Sequence, residues 1–204
     1  MQLRPHQLKA IEAMTRHDKG QVIVPTGGGK TICMIEDAIE QFKSDRLKTI
    51  VVVAPRILLA NQLCEEFLEF IGDVDVLHVH SGETHHDSTT KIQKIEEWYW
   101  ASKKHQLIFT TYHSLHKVQN TTAITVDTVY FDEAHNAVQK NFIEAVEHHS
   151  MYTLRNYFFT ATPKHSYTPF KVGMNDTDIF GGVICNIGAP KLVKQGYILP
   201  PKVK

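Results

Sequence analysis

Gly27, Gly28 and Gly29, followed by Lys30 and Thr31, sit between a short apolar run and a helical pattern, and no other stretch constrains the fold of this chain so tightly. Gln21 to Val24 reads as a buried strand, and Ile32, Ile35, Ala38, Ile39 and Phe42 fall on one face of a helix. Glycines between a strand and a helix let successive backbone N–H groups turn inward, and the helix N-terminus adds partial positive charge, so Pro25, Thr26 and Gly27–Gly29 form a cradle for phosphate. Lys30 is placed to reach phosphate oxygens and the Thr31 hydroxyl to ligate Mg²⁺. The first glycine of the usual pattern is replaced by Val24, so an ordinary glycine turn before a helix is the competing reading, and the rest of the chain has to decide between them.

Four further apolar strands, Thr49–Ala54, Val74–Val79, Leu107–Thr111 and Thr128–Asp132, and a fifth, Tyr157–Thr160, alternate with helical patterns. An opening helix runs from Leu3 to about Arg16 with Leu8, Ile11 and Met14 on one face, and another carries Leu59, Leu63, Phe67 and Phe70 or Ile71. Thr89–Trp100 reads as helical, as does a segment bringing Val138, Phe142 and Val146 inward; Ser81–Ser88 reads as a loop, and 165–190 as turn-rich. This alternation predicts an α/β fold: an open, mostly parallel central sheet with helices on both faces, in three layers. In such sheets ligands bind at the carboxyl ends of the strands. Each chemically capable cluster follows a strand: the glycine turn, Pro55-Arg56, Thr111-Tyr112-His113, Asp132-Glu133-Ala134-His135 and Thr160-Ala161-Thr162-Pro163.

Asp132 closes the apolar run Val129–Phe131, where a metal-binding carboxylate complementary to Thr31 belongs. Glu133 is then free to orient or deprotonate an attacking water. Taken alone, an Asp-Glu pair at a strand end could equally be a helix N-cap. Formal charge is balanced, with 22 basic and 22 acidic side chains, so any case for nucleic acid rests on motifs and not on a basic excess. Three cysteines far apart argue against a disulfide framework and for a reducing, cytoplasmic setting. No apolar run approaches membrane-spanning length and no signal-peptide pattern is present.

Together, Pro25–Thr31, Asp132–His135 and Thr160–Pro163 resemble motifs I, II and III of a superfamily 2 helicase, in the subgroup with a DEAH box that includes type III restriction motor subunits and excision-repair helicases. That group commonly lacks the first P-loop glycine. The resemblance implies a RecA-like P-loop NTPase domain that binds ATP and Mg²⁺, with Lys30, Asp132, Glu133 and His135 catalytic. Arg4-Pro5-His6-Gln7 resembles the Q motif, implying that Gln7 bonds the adenine edge and Arg4 stacks on the ring. Ala54–Gln62 resembles motif Ia and Thr110–Leu115 the next nucleic-acid motif, implying that Pro55, Arg56, Gln62, Thr111 and Tyr112 lie along a nucleic acid, DNA rather than RNA. His135 would couple the nucleotide to motif III through Thr160 and Thr162, for which turn capping is the plainer role. Phe180-Gly181 and Leu192–Val203 resemble the end of the first motor domain. Residues 1–204 are therefore expected to form one RecA-like domain, with the second RecA-like domain and its arginine fingers absent.

Two rivals belong to other classes: a nucleotide-gated nucleic-acid-binding module that does not hydrolyse, and a P-loop phosphotransferase, which would not need the Asp-Glu-Ala-His and Thr-Ala-Thr-Pro boxes. His78, His80, His85 and His86 invite a zinc reading but lack completing Cys or carboxylate spacing. Trp98-Tyr99-Trp100 is expected to anchor a helix to the core rather than to stack on bases.

Overall fold

The structure is a computed structural model that describes residues 2–119, 121 and 123–200. In chain order its elements are α1 (Pro5–Arg16), β1 (Lys19–Ile23), α2 (Lys30–Gln41), β2 (Thr49–Ala54), α3 (Ile57–Phe70), β3 (Val74–Val79), β4 (Asp87–Ser88), α4 (Ile92–Ala101), β5 (His105–Thr111), α5 (Leu115–Gln119), β6 (Thr128–Phe131), a 3₁₀ turn (Ala134–Asn136), α6 (Ile143–Tyr152), β7 (Arg155–Thr160), α7 (Thr177–Phe180), β8 (Val183–Asn186) and α8 (Ala189–Lys194). The strands form one sheet in the order β4-β3-β5-β2-β6-β7-β1-β8, and every neighbouring pair is parallel. The expected α/β layering is observed.

Side-chain alternation builds the two cores. Ile50, Val52 and Ala54 of β2 join Phe109, Tyr130, Tyr157 and Phe159 under α1, α2 and α3. Val51 and Val53 point the other way, to Ile108, Val129, Phe131 and Phe158 under α4, α5, α6 and α7. A strand buried on both faces reads as a near-continuous apolar run, and β2 is buried throughout with Thr49 its one polar residue, whose hydroxyl donates to Gln106 Oε1 at 2.6 Å. A slip of one residue would exchange the two sets, so the register is fixed by packing.

Several local expectations shift. Leu8 is 52% exposed, because α1 turns His6, Gln7, Ala10 and Met14 inward toward the glycine turn and α2. Of the alternatives on α3, Ile71 is buried and Phe70 exposed. Asp87–Ser88 is a short edge strand inside the expected loop, and α4 starts at Ile92. Trp98 packs on the second core while Trp100 stays exposed. The helix expected to carry Val138, Phe142 and Val146 begins only at Ile143, as α6, so Val138 and Phe142 pack on the second core from the turn ahead of it. Within 165–190 lies β8, an extra strand beside β1. The tail motif runs to Val203, whose last residues fall outside the described ones.

At the amino edge of the sheet a buried polar lock ties the layers together. Arg155 donates to both carboxylate oxygens of Asp37, at 2.7 and 2.9 Å. Asp37 also accepts from Gln41 at 2.8 Å and from the Tyr130 hydroxyl. Arg155 and Tyr157 further donate to the Met14 carbonyl at the end of α1. Burial opposes the Arg155 charge, but Asp37 more than compensates, so its pKa lies above the ordinary value.

Candidate nucleotide site at the carboxyl edge of the sheet

The strand order β5-β2-β6-β7-β1 lines up, on one edge, the segments after Thr111, Ala54, Phe131, Thr160 and Ile23. At the end of β1, Gly27 and Gly29 adopt left-handed backbone, at φ +82° and +79°, which side-chain-bearing residues rarely take. A Cβ on Gly28 would lie 2.4 Å from Val24 Cγ1, so with Val24 in place of the first glycine the turn needs its small residue at 28. α2 then begins at Lys30 with its N-terminus aimed into the cleft.

The cleft holds about 590 Å³ and is lined by Lys30, Thr31, Pro55, Arg56, Asp132 and Glu133, among others. The Lys30 ammonium lies 3.2 Å from Asp132 Oδ1 and closer still to Glu133 Oε1. Asp132 is buried, and this raises its pKa; Lys30 opposes the rise and Glu133 adds to it. The Lys30 contact is ionic without hydrogen-bond alignment, so Asp132 Oδ1 is a buried acceptor with no directed donor. Glu133 has φ +47° and ψ +53°, the only positive φ outside glycine among the described residues. Such backbone is strained and persists where its surroundings hold it. Here the Asn136 side chain and the Asn136 backbone N–H both donate to the Glu133 carbonyl, at 2.9 and 3.0 Å.

His135 Nδ1 meets the Thr160 hydroxyl at 2.9 Å, and the same hydroxyl accepts from Thr162 N–H at 3.1 Å. The Thr160 carbonyl accepts from Val24 N–H at 3.1 Å. Thr160 thus performs the turn capping and also joins motif II to the strand that feeds the glycine turn. Thr162 contributes its backbone, with its side chain exposed.

Beside the glycine turn, the buried Gln7 amide accepts from Arg4 N–H at 2.9 Å and donates to the Gly29 carbonyl at 3.3 Å. One N–H and one lone pair of that amide remain for a ligand. His6 Nε2 lies 2.6 Å from the Gly28 carbonyl, leaving Nδ1 buried and unbonded. The Arg4 guanidinium lies over the ring of Tyr197, 5.0 Å from its centroid, and His6 packs on the same ring.

Pro55, Arg56 and Gln62 line the cleft, with Arg56 exposed at its mouth. Thr111 and Tyr112 do not present side chains to a strand. Both are buried, and the Tyr112 hydroxyl donates to the Asp132 carbonyl at 2.7 Å, because apolar neighbours Phe131 and Phe142 stack on its ring. Three participants escape a linear reading. Glu66 lines the cleft with Thr31 and has its pKa raised by burial, then by Glu69 and Asp132; its spacing of four from Gln62 on α3 was the available signal. Asn136 and Tyr197 carried none, since each acts through a tertiary contact.

The residues fit the nucleotide and cation implied by the motifs: a glycine cradle, an ammonium, and a buried carboxylate oxygen without a donor, opposite a hydroxyl. The sequence matches the family described as type III restriction enzyme, res subunit, over residues 1–165. The chain belongs to that family. No curated protein matches it. Among solved structures, it is similar to a nuclease-deletion mutant of the type ISP restriction-modification enzyme LlaGI in complex with a DNA substrate mimic, at 21% identity and TM-score 0.76, covering 97% of this chain and 21% of that one. The DNA-bound ATP-dependent type ISP enzyme LlaBIII gives 21% identity and TM-score 0.77, over 96% and 16% of the two chains. The Hef helicase domain of Pyrococcus furiosus gives 19% identity and TM-score 0.61, over 88% and 37%. The fold therefore matches that of RecA-like helicase domains, and the chain spans about a fifth of the LlaGI chain. Among the described residues no helix is long and apolar enough to cross a membrane.

Proposed function

We propose that this chain is the ATP-hydrolysing first motor domain of a DEAH-type helicase or translocase. The observation that carries the reading is the convergence of Lys30, Asp132 and Glu133 in one cleft whose floor is tied to motif III through His135 and Thr160. Backbone N–H groups of Gly27–Gly29 and the Lys30 ammonium bind the phosphates of ATP, which requires Lys30 to exchange its carboxylate partners for phosphate. Thr31 and Asp132 would hold Mg²⁺, which supplies charge neutralisation at the β- and γ-phosphates. Released from Lys30, Glu133 accepts a proton from water attacking the γ-phosphorus in line as the bond to the β–γ bridging oxygen breaks and ADP leaves, on a backbone kept in place by Asn136. Gln7 and Arg4 orient the base. Arg56, at the cleft mouth, contacts nucleic-acid phosphate; the DNA-bound state of the similar LlaGI and LlaBIII structures favours DNA over RNA. A second RecA-like domain is a required partner, since an arginine finger is worth about 10³-fold or more in rate. The Cys33 and Cys64 thiols have pKa values pushed up to about 12 by burial and stay protonated and inert, and a cytoplasmic setting rests on the spacing of the three cysteines.

Steady-state ATP hydrolysis with and without single-stranded and duplex DNA and RNA, beside Lys30→Ala, tests the reading. Slow turnover that one nucleic acid stimulates and Lys30→Ala abolishes is expected; turnover indifferent to Lys30→Ala would refute it. The Lys30–Glu133 ion pair favours one second reading, a nucleotide-gated binding module that does not hydrolyse. Glu133→Gln separates the two: in the ATPase it abolishes slow hydrolysis and retains ATP binding, whereas a binding module has no hydrolysis to lose.

A further inference from the structure

Beyond the nucleotide cleft, the segment leaving β7 carries an unusual surface. Phe170 is 95% exposed and Tyr167 89%, more than any other Phe, Tyr or Trp among the described residues. Single exposed apolar residues are ordinary. These two stand together on a loop that is firmly braced. Ser166 N–H donates to Asn175 Oδ1 and Asn175 Nδ2 donates to the Ser166 carbonyl, both at 2.8 Å. Met174 N–H donates to the Lys164 carbonyl at 2.6 Å, and Gln21 of β1 holds the Met174 carbonyl at 2.7 Å. The loop closes so tightly that a Cβ on Gly173 would lie 2.1 Å from Ser166 N. The two rings are therefore displayed from a loop whose base is fixed at Lys164, Ser166, Met174 and Asn175.

Phe170 lines a cleft of about 650 Å³ together with Lys140, Lys164, Lys171 and His165, over a floor that includes Val138, Ile143 and Val172, and no carboxylate lines it. In a chain of zero formal net charge this is a local concentration of cations. From Ala161 to Gly173 the loop contains no acidic residue. Its start, four residues past Thr160, hangs from the turn that His135 touches in the nucleotide cleft.

We propose that the loop from Lys164 to Lys171 is a platform for an unpaired stretch of nucleic acid, with bases stacking on Tyr167 and Phe170 and phosphates meeting Lys140, Lys164 and Lys171. This rests on the nucleic-acid motor reading and adds an interaction that none of the motifs contains. Aromatic faces beside a cationic groove suit single strands, whose bases are free to stack, while a duplex hides its base planes. An apolar protein surface would leave three ammonium groups without counter-charge.

The test is titration of this chain with a single strand of DNA carrying 2-aminopurine and with a duplex of equal length, across a salt series. Tyr167→Ala with Phe170→Ala, at positions too exposed to support the core, should weaken single-strand binding roughly tenfold or more and abolish the stacking quench of 2-aminopurine. The salt slope and duplex affinity should stay unchanged, and Trp at both positions should restore binding. Lys164→Ala with Lys171→Ala should reduce the slope by about 0.7 for each phosphate that is no longer neutralised. Unchanged affinity and quenching in the aromatic double variant would overturn the platform while leaving the motor reading intact. Equal losses for strand and duplex would overturn the unpaired-base assignment. A wild-type chain that binds no DNA would overturn both readings.

Discussion

Arg155→Ala isolates the polar lock at the amino edge of the sheet. In the folded domain the Asp37 and Arg155 side chains are 5% and 16% exposed. Removing the guanidinium deletes two hydrogen bonds to Asp37 and one to the Met14 carbonyl, leaving the carboxylate with only the neutral donors Gln41 and Tyr130. Stripping one partner from a buried pair costs about 3–5 kcal/mol, because a desolvated charge remains. Unfolding entropy of about 2.1 cal/mol/K per residue, over 204 residues, converts this to a Tm lower by about 7–12 °C. Thermal denaturation followed by circular dichroism reads it directly. The double variant Asp37→Leu with Arg155→Met should recover much of the loss, since no charge is then stranded. Arg155 opens β7 and Thr160 closes it, so nucleotide affinity well below the melting range should be unaffected. A loss below about 1 kcal/mol, the scale of an exposed ion pair, would refute the argument.

The remaining expectations concern the carboxyl edge. Burial raises the Asp132 pKa, so the folded domain holds that proton more tightly than the unfolded chain, and stability should fall as pH rises from the ordinary carboxylate value through the raised one. Asp132→Asn should remove that slope and stabilise the nucleotide-free domain by about 0.5–2 kcal/mol at neutral pH while abolishing Mg²⁺-dependent nucleotide binding; melting curves from about pH 4 to about pH 7 check it. Tyr197→Ala should weaken ATP binding about two- to thirtyfold by freeing the Arg4 guanidinium, with tripolyphosphate affinity unchanged and Tyr197→Phe near wild type. Equal losses for ATP and tripolyphosphate would show that Tyr197 supports the glycine turn instead. Arg56→Ala should weaken DNA binding alike across sequences and lower the salt slope by about one, and an unchanged slope would remove Arg56 from the phosphate path.

Local sequence determined much of this protein. A short β-branched run such as Thr49–Ala54 reads as a strand buried on both faces, and glycines at 27 and 29 permit the left-handed turn ahead of α2. The polar clusters terminating five strands implied one working edge, because parallel strands carry their carboxyl ends to the same side. Where the signal was amphipathic periodicity, it placed the element but not its rotation. Leu8 faces water because the docking of α1 on the glycine turn claims His6 and Gln7 for the interior. Tertiary structure alone decided that Tyr112 turns inward to hold the Asp132 carbonyl, that Glu66 of α3 joins Thr31 in the lining of the cleft, and that Tyr197 closes over Arg4 from a segment nearly the whole chain away. It alone inserted β8 beside β1. Periodicity and turn chemistry are properties of neighbouring residues, whereas these contacts depend on which strands pair, and pairing is settled by the packing of two whole cores at once.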